Sequence, residues 1–198
     1  MNMAAQIAMG SGGFAALHSA ALLGGVDGRS VQNQHLIEPH IGSLRRYARA
    51  LVRDADRADD LVHDCLERAL SRWHLWRGEG NLRAWLFTIL HNVHVNNIRR
   101  DMAAGRPVQM PEGIELRATP ASQDHHLMLN DLAAAMTRLP DEQRQTVLLV
   151  GLEGFSYREV ARITGVPIGT VMSRLSRGRE RLRELIAGPD ESKIRKAK

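Results

Sequence analysis

Apolar positions recur at the spacing of one helix face through Ile41, Leu44, Ala48 and Leu51, again through Leu61, Cys65, Leu66, Ala69 and Trp73, and again through Leu82, Trp85, Leu86, Ile89 and Val93. Steps of three and four return side chains to the same side of a helix, so the pattern predicts three amphipathic helices. Asp56 is placed to cap the second, with Asp59 and Asp60 in its first turn, where carboxylates complement the helix dipole. Gly78 and Gly80 break the chain before the third. Between about Asp101 and Asp124 the period is lost among Gly105, Pro107, Pro111, Gly113 and Pro120, the composition of a tether. From His126 it returns through Leu129, Leu132 and Met136, breaks at Leu139 and Pro140, and resumes at Val147, Leu148 and Val150. No alternating strand pattern and no internal repeat is visible. The expected fold is all-α: two small helical domains joined by a flexible linker, the C-terminal one containing a helix-turn-helix. The expected divisions are a flexible extension over 1–33, a first domain over 34–102, a linker over 103–125, a second domain over 126–188 and a basic tail over 189–198.

The most informative segment runs from Phe155 to Arg183, FSYREVARITGVPIGTVMSRLSRGRERLR. Ser156 and Glu159 form an S-x-x-E capping box, in which each side chain satisfies a free amide at the start of a helix. Val160, Ala161 and Ile163 are available for burial in the short helix that follows. Gly165 accepts the left-handed conformation that ends it, and Pro167 suits the start of the next helix. This is the layout of a helix-turn-helix, whose second helix enters the major groove of DNA. In that helix Val171 and Leu175 should pack inward. Thr170, Ser173, Arg174 and Arg177 lie on or near the other faces; Arg177 suits a bidentate contact to guanine, while Arg174, Arg179, Arg181 and Arg183 equally suit phosphate. Without the capped helix and glycine turn, the same charges would read as an ordinary solvated face.

Composition agrees with a nucleic-acid partner. The formal net charge is +5, carried almost wholly by Arg, with Lys193, Lys196 and Lys198 at the extreme C-terminus; the guanidinium fork matches phosphate and guanine. Cys65 is the single cysteine, so no internal disulfide framework exists and a reducing compartment, the cytoplasm, is expected. The apolar stretch around Phe14 to Leu23 has no Lys or Arg before it and is broken by glycine. It lacks the form of a signal peptide and the length of a span, so no membrane insertion is expected. His63, His91, His94, His125 and His126 lack the partners and the H-E-x-x-H arrangement of a metal site. No glycine-rich phosphate loop, nucleophile elbow or carboxylate pair stands out, so neither cofactor, metal nor catalysis is expected.

Placed in order, four segments resemble the two conserved domains of extracytoplasmic-function RNA polymerase sigma factors: ADDLVHDCLERAL at 58–70, NLRAWLFTILHNVHVNNIRR at 81–100, LPDEQRQTVLLVGLEGFSYREVA at 139–161 and GTVMSRLSRGRERL at 169–182. The resemblance runs over roughly Leu36 to Ile186. It implies an alternative sigma factor that binds core RNA polymerase and directs promoter recognition and transcription initiation. Its implied partners are the beta-prime and beta subunits of core polymerase, promoter DNA and an anti-sigma factor.

By the same resemblance, Asp59, Asp60, Leu61, Val62, Asp64 and Glu67 dock on the polymerase beta-prime subunit. The segment 81–100 reads the minus-ten element, with Asn92 at the position of the base-capturing asparagine and the loop 74–81 as a pocket wall. Trp76, Asn96, Arg99 and Arg100 complete the single-strand surface, since capture of an unpaired base needs a polar edge reader, an apolar wall and phosphate contacts. Trp85, Phe87 and Ile89 are expected to be packing. The minus-thirty-five element is read by Thr170, Met172, Ser173, Arg174, Ser176 and Arg177. Many relatives carry Lys or Arg where this chain has Met172, and a polar or acidic residue where it has Ile168, so the promoter sequence does not follow from the family. Two other classes fit parts of the pattern: a stand-alone helix-turn-helix regulator reading a palindrome through twofold symmetry, and an adaptor whose basic helix is incidental.

Overall fold

The computed structural model describes residues 28–52, 54–76, 80–105 and 131–196, with side chains from 35 to 187 within those stretches. Among the described residues the structure is helix and turn, with no strand. In order come α1 (Gly28–Val52), α2 (Ala55–Ser71), a 3-10 turn (Trp73–Leu75), α3 (Leu82–Ala103), a helical stretch over 131–137, α4 (Asp141–Gly151), α5 (Tyr157–Thr164) and α6 (Ile168–Lys196). The chain divides after Pro39, inside α1, into two compact units, and the helices carrying the candidate sites belong to the second, from His40 onward.

The expected periodicity is the periodicity of burial. Leu44, Ala48 and Leu51 in α1, Leu61, Cys65, Leu66 and Ala69 in α2, and Leu86 and Val93 in α3 are all buried. Each large apolar side chain so removed from water contributes about 1.5–3 kcal/mol, which outweighs the modest helix propensity of the valines and aromatics among them. Tyr47 meets Phe87 edge-on, with centroids 5.3 Å apart, and joins α1 to α3. The Cys65 thiol donates to the Leu86 carbonyl at 3.5 Å. Burial, with Asp64 adding to it and Arg68 opposing, pushes that thiol up to about 12, so Cys65 is a packing residue and holds no reactive thiolate near neutral pH.

Helix α2 is capped two residues earlier than the sequence pattern suggests. Asp54, not Asp56, is extended at φ −103° and ψ 125°, and its Oδ1 accepts from the Arg57 amide at 2.9 Å. Asp56 lies inside the first turn, where it has helical backbone and acts only through the dipole. Asn81 caps α3 in the same manner, accepting from the Ala84 amide. Past the central gap, Leu132 is exposed instead of buried. The apolar contacts there fall to Ala135, Leu139 and Leu182, with Met136, Val147 and Leu185 against them. The expected linker lies largely outside the described residues, as do Leu129, residues 1–27 of the expected extension, and the histidines at 125 and 126. Residues 28–33 are the first turns of α1, and α6 continues to Lys196, through most of the expected tail.

Candidate promoter and polymerase surfaces

The helix-turn-helix forms as its sequence dictates. Ser156 accepts from the Glu159 amide at 3.3 Å while Glu159 accepts from the Ser156 amide at 2.9 Å, closing the capping box. Those hydrogen bonds, chiefly the one from the Ser156 backbone, hold the Glu159 carboxyl below its ordinary value. Gly165 ends α5 in the left-handed conformation at φ 69°, where a Cβ would be strained, and Pro167 precedes the first residue of α6. Val160 and Ile163 in α5 and Val171 and Leu175 in α6 are buried. Gly178 allows α6 to approach α4 closely: a Cβ there would lie 2.8 Å from Val147 Cγ2.

With Val171 and Leu175 turned inward, Met172, Ser173, Ser176 and Arg177 are exposed on α6, and Thr170 is half-buried. Arg174 differs from Arg177. It is largely covered and paired through Nη2 with Glu142 of α4 at 2.6 Å, so its charge is partly committed inside the protein. Ile168 and Met172, four residues apart, leave an apolar edge at the start of the helix, 43% and 52% exposed.

On α2, Asp59, Asp60 and Glu67 are exposed and Asp64 is half-buried. Asp59 lies between Arg45 at 3.9 Å and Arg49 at 3.6 Å, and Glu67 meets His63 at 3.1 Å. Leu61 and Val62, expected beside them on the docking face, are instead 2% and 3% exposed, because α2 turns its whole apolar stripe into the core. Asp60 and Asp64 line an open depression with Arg57, His63, Asn97 and Arg100, and Arg57 reaches across it to Asp101 of α3 at 2.5 Å.

On α3, Asn92, Asn96, Arg99 and Arg100 are exposed. Arg100 Nη2 donates to Asn97 Oδ1 at 2.6 Å, which aims one guanidinium along the helix. Trp76 is half-buried with its ring 5.5 Å from Trp85, and Trp73 meets the other ring edge-on at 6.0 Å. Phe87 is fully buried while Trp85 and Ile89 are half-buried, in keeping with packing roles. Part of the loop expected as a pocket wall, 77–79, lies outside the described residues.

The sequence pattern did not single out a second polar system, between α3 and the α4–α5 segment. His94 Nε2 lies 3.3 Å from Asp141 Oδ1, and Arg144 and Gln145 also bond that carboxylate. Burial alone would raise the Asp141 carboxyl; the hydrogen bonds and charges of His94 and Arg144, with the Gln145 amide, hold it at about 2. His91 is held low chiefly by burial, with the charges of His94 and Arg174 adding to it. Glu153 is wholly buried between Arg46 and Arg83, residues 107 and 70 positions away. Its only local signal is a lone carboxylate among Leu152, Gly154 and Phe155. Among the described residues no cluster of His, Cys, Asp and Glu is disposed to hold a metal ion.

An all-helical frame ending in a helix-turn-helix, with small polar and arginine side chains exposed on its last helix, has the architecture of a DNA-reading protein. Comparison with known proteins makes this specific. A family model described as "Sigma2 domain of PhyR" matches residues 37–91, and "Sigma-70, region 4" matches residues 129–182. The ECF RNA polymerase sigma factor EcfG of Rhodopseudomonas palustris is 38% identical over 159 residues, 77% of this chain and 87% of that protein. SigM of Mycobacterium tuberculosis, another ECF sigma factor, is 32% identical over 180 residues, 90% of each chain. The sigma factor RpoE of Bartonella quintana, solved in complex with the anti-sigma factor NepR, superposes with a TM-score of 0.64 at 36% identity, over 78% of this chain and 96% of that one. CnrH, solved with the cytosolic domain of CnrY, has the same fold, with a TM-score of 0.58 at 24% identity over 80% of this chain and 92% of that one.

The chain belongs to the extracytoplasmic-function group of sigma-70 family RNA polymerase sigma factors. It is an alternative sigma factor that binds core RNA polymerase and directs promoter recognition, and its family is one of transcription factors, not enzymes. The stand-alone regulator is thereby disfavoured. Among the described residues no helix is long and apolar enough to cross a membrane.

Proposed function

We propose that the three exposed faces divide the work of initiation. Asp59, Asp60, Asp64 and Glu67 of α2 meet the polymerase beta-prime subunit. Asn92 and Asn96 of α3, with Trp76, Arg99 and Arg100, take the opened minus-ten strand. Thr170, Met172, Ser173, Ser176 and Arg177 of α6 read the minus-thirty-five element, with Arg174 reduced to a phosphate contact by its bond to Glu142. Leu61 and Val62 act beneath the docking face by fixing α2, not by touching the partner.

The observation that carries this reading is the segregation of each helix: the apolar stripe is buried, and the side chains left outside are those suited to the proposed partner. Carboxylates on α2 suit a basic, helical protein surface; Asn and Arg suit base edges and phosphates. Catalysis of polymerisation belongs to core polymerase, so the chain acts where that enzyme works, in the cytoplasm. The likeness to a sigma factor bound by an anti-sigma factor supports a similar negative regulator for this chain, covering the polymerase-docking faces.

The test is Asp60→Arg. Asp60 is exposed, so the variant should fold normally and lose affinity for core polymerase, measured by titration of fluorescently labelled chain with purified core. Normal core affinity in a folded variant would remove the α2 face from the assignment.

A further inference from the structure

The first turns of α6 carry two parallel rows of side chains that the fold leaves outside. Residues four apart on a helix stack on one face, with Cβ atoms about 5–6 Å apart. One row is Gly169, Ser173 and Arg177; beside it runs Ile168, Met172 and Ser176, and all six are exposed. The first row is polar from Ser173 onward. The second begins with two large apolar side chains, 43% and 52% exposed, although Val171 and Leu175 already supply the buried stripe of this part of the helix.

The protein's own packing does not call for this edge. A Cβ at Gly169 would meet nothing within 4 Å, so the fold has no steric need of a glycine there, and a helix interior disfavours one. What the missing side chain does is let the backbone at the start of α6 come close to a surface lying against it. The polar groups nearest the edge are engaged elsewhere. Arg174 Nη2 is bonded to Glu142 at 2.6 Å, and Ser173 Oγ donates to the Thr170 carbonyl at 3.0 Å. Arg177 lies five residues beyond Met172, more than a full turn further along.

We infer that Ile168 and Met172 form an apolar reader for the C5-methyl group of thymine in the minus-thirty-five element, selecting an A·T pair under the start of α6 by burying that methyl. The inference rests on the assignment of α6 to that element and adds the identity of the base. In a helix-turn-helix the N-terminal residues of the second helix are the ones that reach base edges. Ile168 is the first residue of α6 and Met172 the fifth. The major groove presents N7 and O6 of guanine, N7 and the N6 amine of adenine, the N4 amine of cytosine and O4 of thymine, all polar, and one methyl group, that of thymine. Against an aliphatic side chain and a thioether a polar base edge would lose its water and gain no partner, which is costly, whereas the methyl gains by leaving water. The spacing of the two side chains, about 5–6 Å, is less than two base-pair steps of about 3.4 Å, so the reader covers one pair or two adjacent ones.

The experiment uses holoenzyme assembled from core polymerase and the full chain, on a promoter that it transcribes. Each thymine of the minus-thirty-five element, on either strand, is replaced in turn by deoxyuridine, which removes the methyl and keeps every hydrogen-bonding group. Competition between duplexes reads the apparent affinity. The natural chain should lose about fourfold at one thymine or two adjacent ones, the worth of one buried methyl. Met172→Ala and Ile168→Ala, at exposed positions and each introducing a better helix former, should bind the natural duplex more weakly and no longer distinguish thymine from uracil there. Arg177→Ala should weaken binding and keep the distinction. Insensitivity to every methyl, or sensitivity that persists in the two alanine variants of the edge, would overturn the reader. So would weaker transcription by those variants on a promoter whose methyls the natural chain ignores, the mark of an edge that docks on protein. If scrambling the whole minus-thirty-five element leaves affinity unchanged, the assignment of α6 fails and the reader with it; dependence on the element but on none of its methyls removes the reader alone.

Discussion

Replacing Gly178 with Ala sets two effects in opposition. Glycine in a helix interior is about 1 kcal/mol worse than alanine, so the substitution alone should stabilise α6. Against that, the new Cβ would lie 2.8 Å from Val147 Cγ2 and 3.5 Å from Gln143 Cβ. The first distance is well inside the 3.5–4.0 Å optimum for carbon atoms, and the valine is stiff at χ1 in a helix, so α4 and α6 must part slightly. Overpacking of this kind costs about 1–3 kcal/mol. The net expectation is destabilisation by about 1 kcal/mol, read as a lower urea midpoint at unchanged slope. Val147→Ala in the same chain removes the obstructing methyls, so a double-mutant cycle should show coupling of about 1 kcal/mol or more in favour of the pair. Stabilisation by the full propensity difference, with no coupling to Val147, would refute the claim that Gly178 is there for close approach.

Acid should weaken the fold in two stages. His91 is held below its ordinary 6.5, so the unfolded chain takes up a proton first and stability is lost as pH falls below that value. Asp141 is held at about 2 against an ordinary 3.8, so its contribution is complete above 3.8 and is lost as pH falls through 2. That contribution is about 2 kcal/mol, and Asp141→Asn should flatten the lower stage of a stability profile measured by denaturant unfolding at successive pH values; an unchanged profile would disprove the assignment. Arg177→Ala should weaken or change minus-thirty-five preference by about 1–3 kcal/mol if the contact is bidentate to guanine, read by competition among promoter variants, and unchanged selectivity would take it off the base-reading surface.

What the sequence made legible was local. The capping box of Ser156 and Glu159, the left-handed Gly165 and the inward Val171 and Leu175 are each settled within a few residues, and all are found as expected. The assignment of Asp56 as cap failed by two positions because Asp54 and Asp56 are equally competent side chains, and only the backbone at Asp54 is extended. Leu61 and Val62 were placed on a docking face because they neighbour its carboxylates in sequence, but a helix puts neighbours about 100° apart, and these two turn inward. The Glu153 clamp was not legible. Its arginines come from distant helices and obey no period, and a solvated arginine and one that clamps a buried carboxylate look alike in a string of letters.

The measurement that bears most directly on the whole account is transcription by purified core polymerase, with and without this protein, on a library of upstream regions from the same genome. The account predicts start sites that arise only when the chain is added, each preceded by a shared pair of elements at fixed spacing. No added start sites, together with tight binding of the free chain to a palindrome, would contradict it and return the protein to the class of stand-alone regulators.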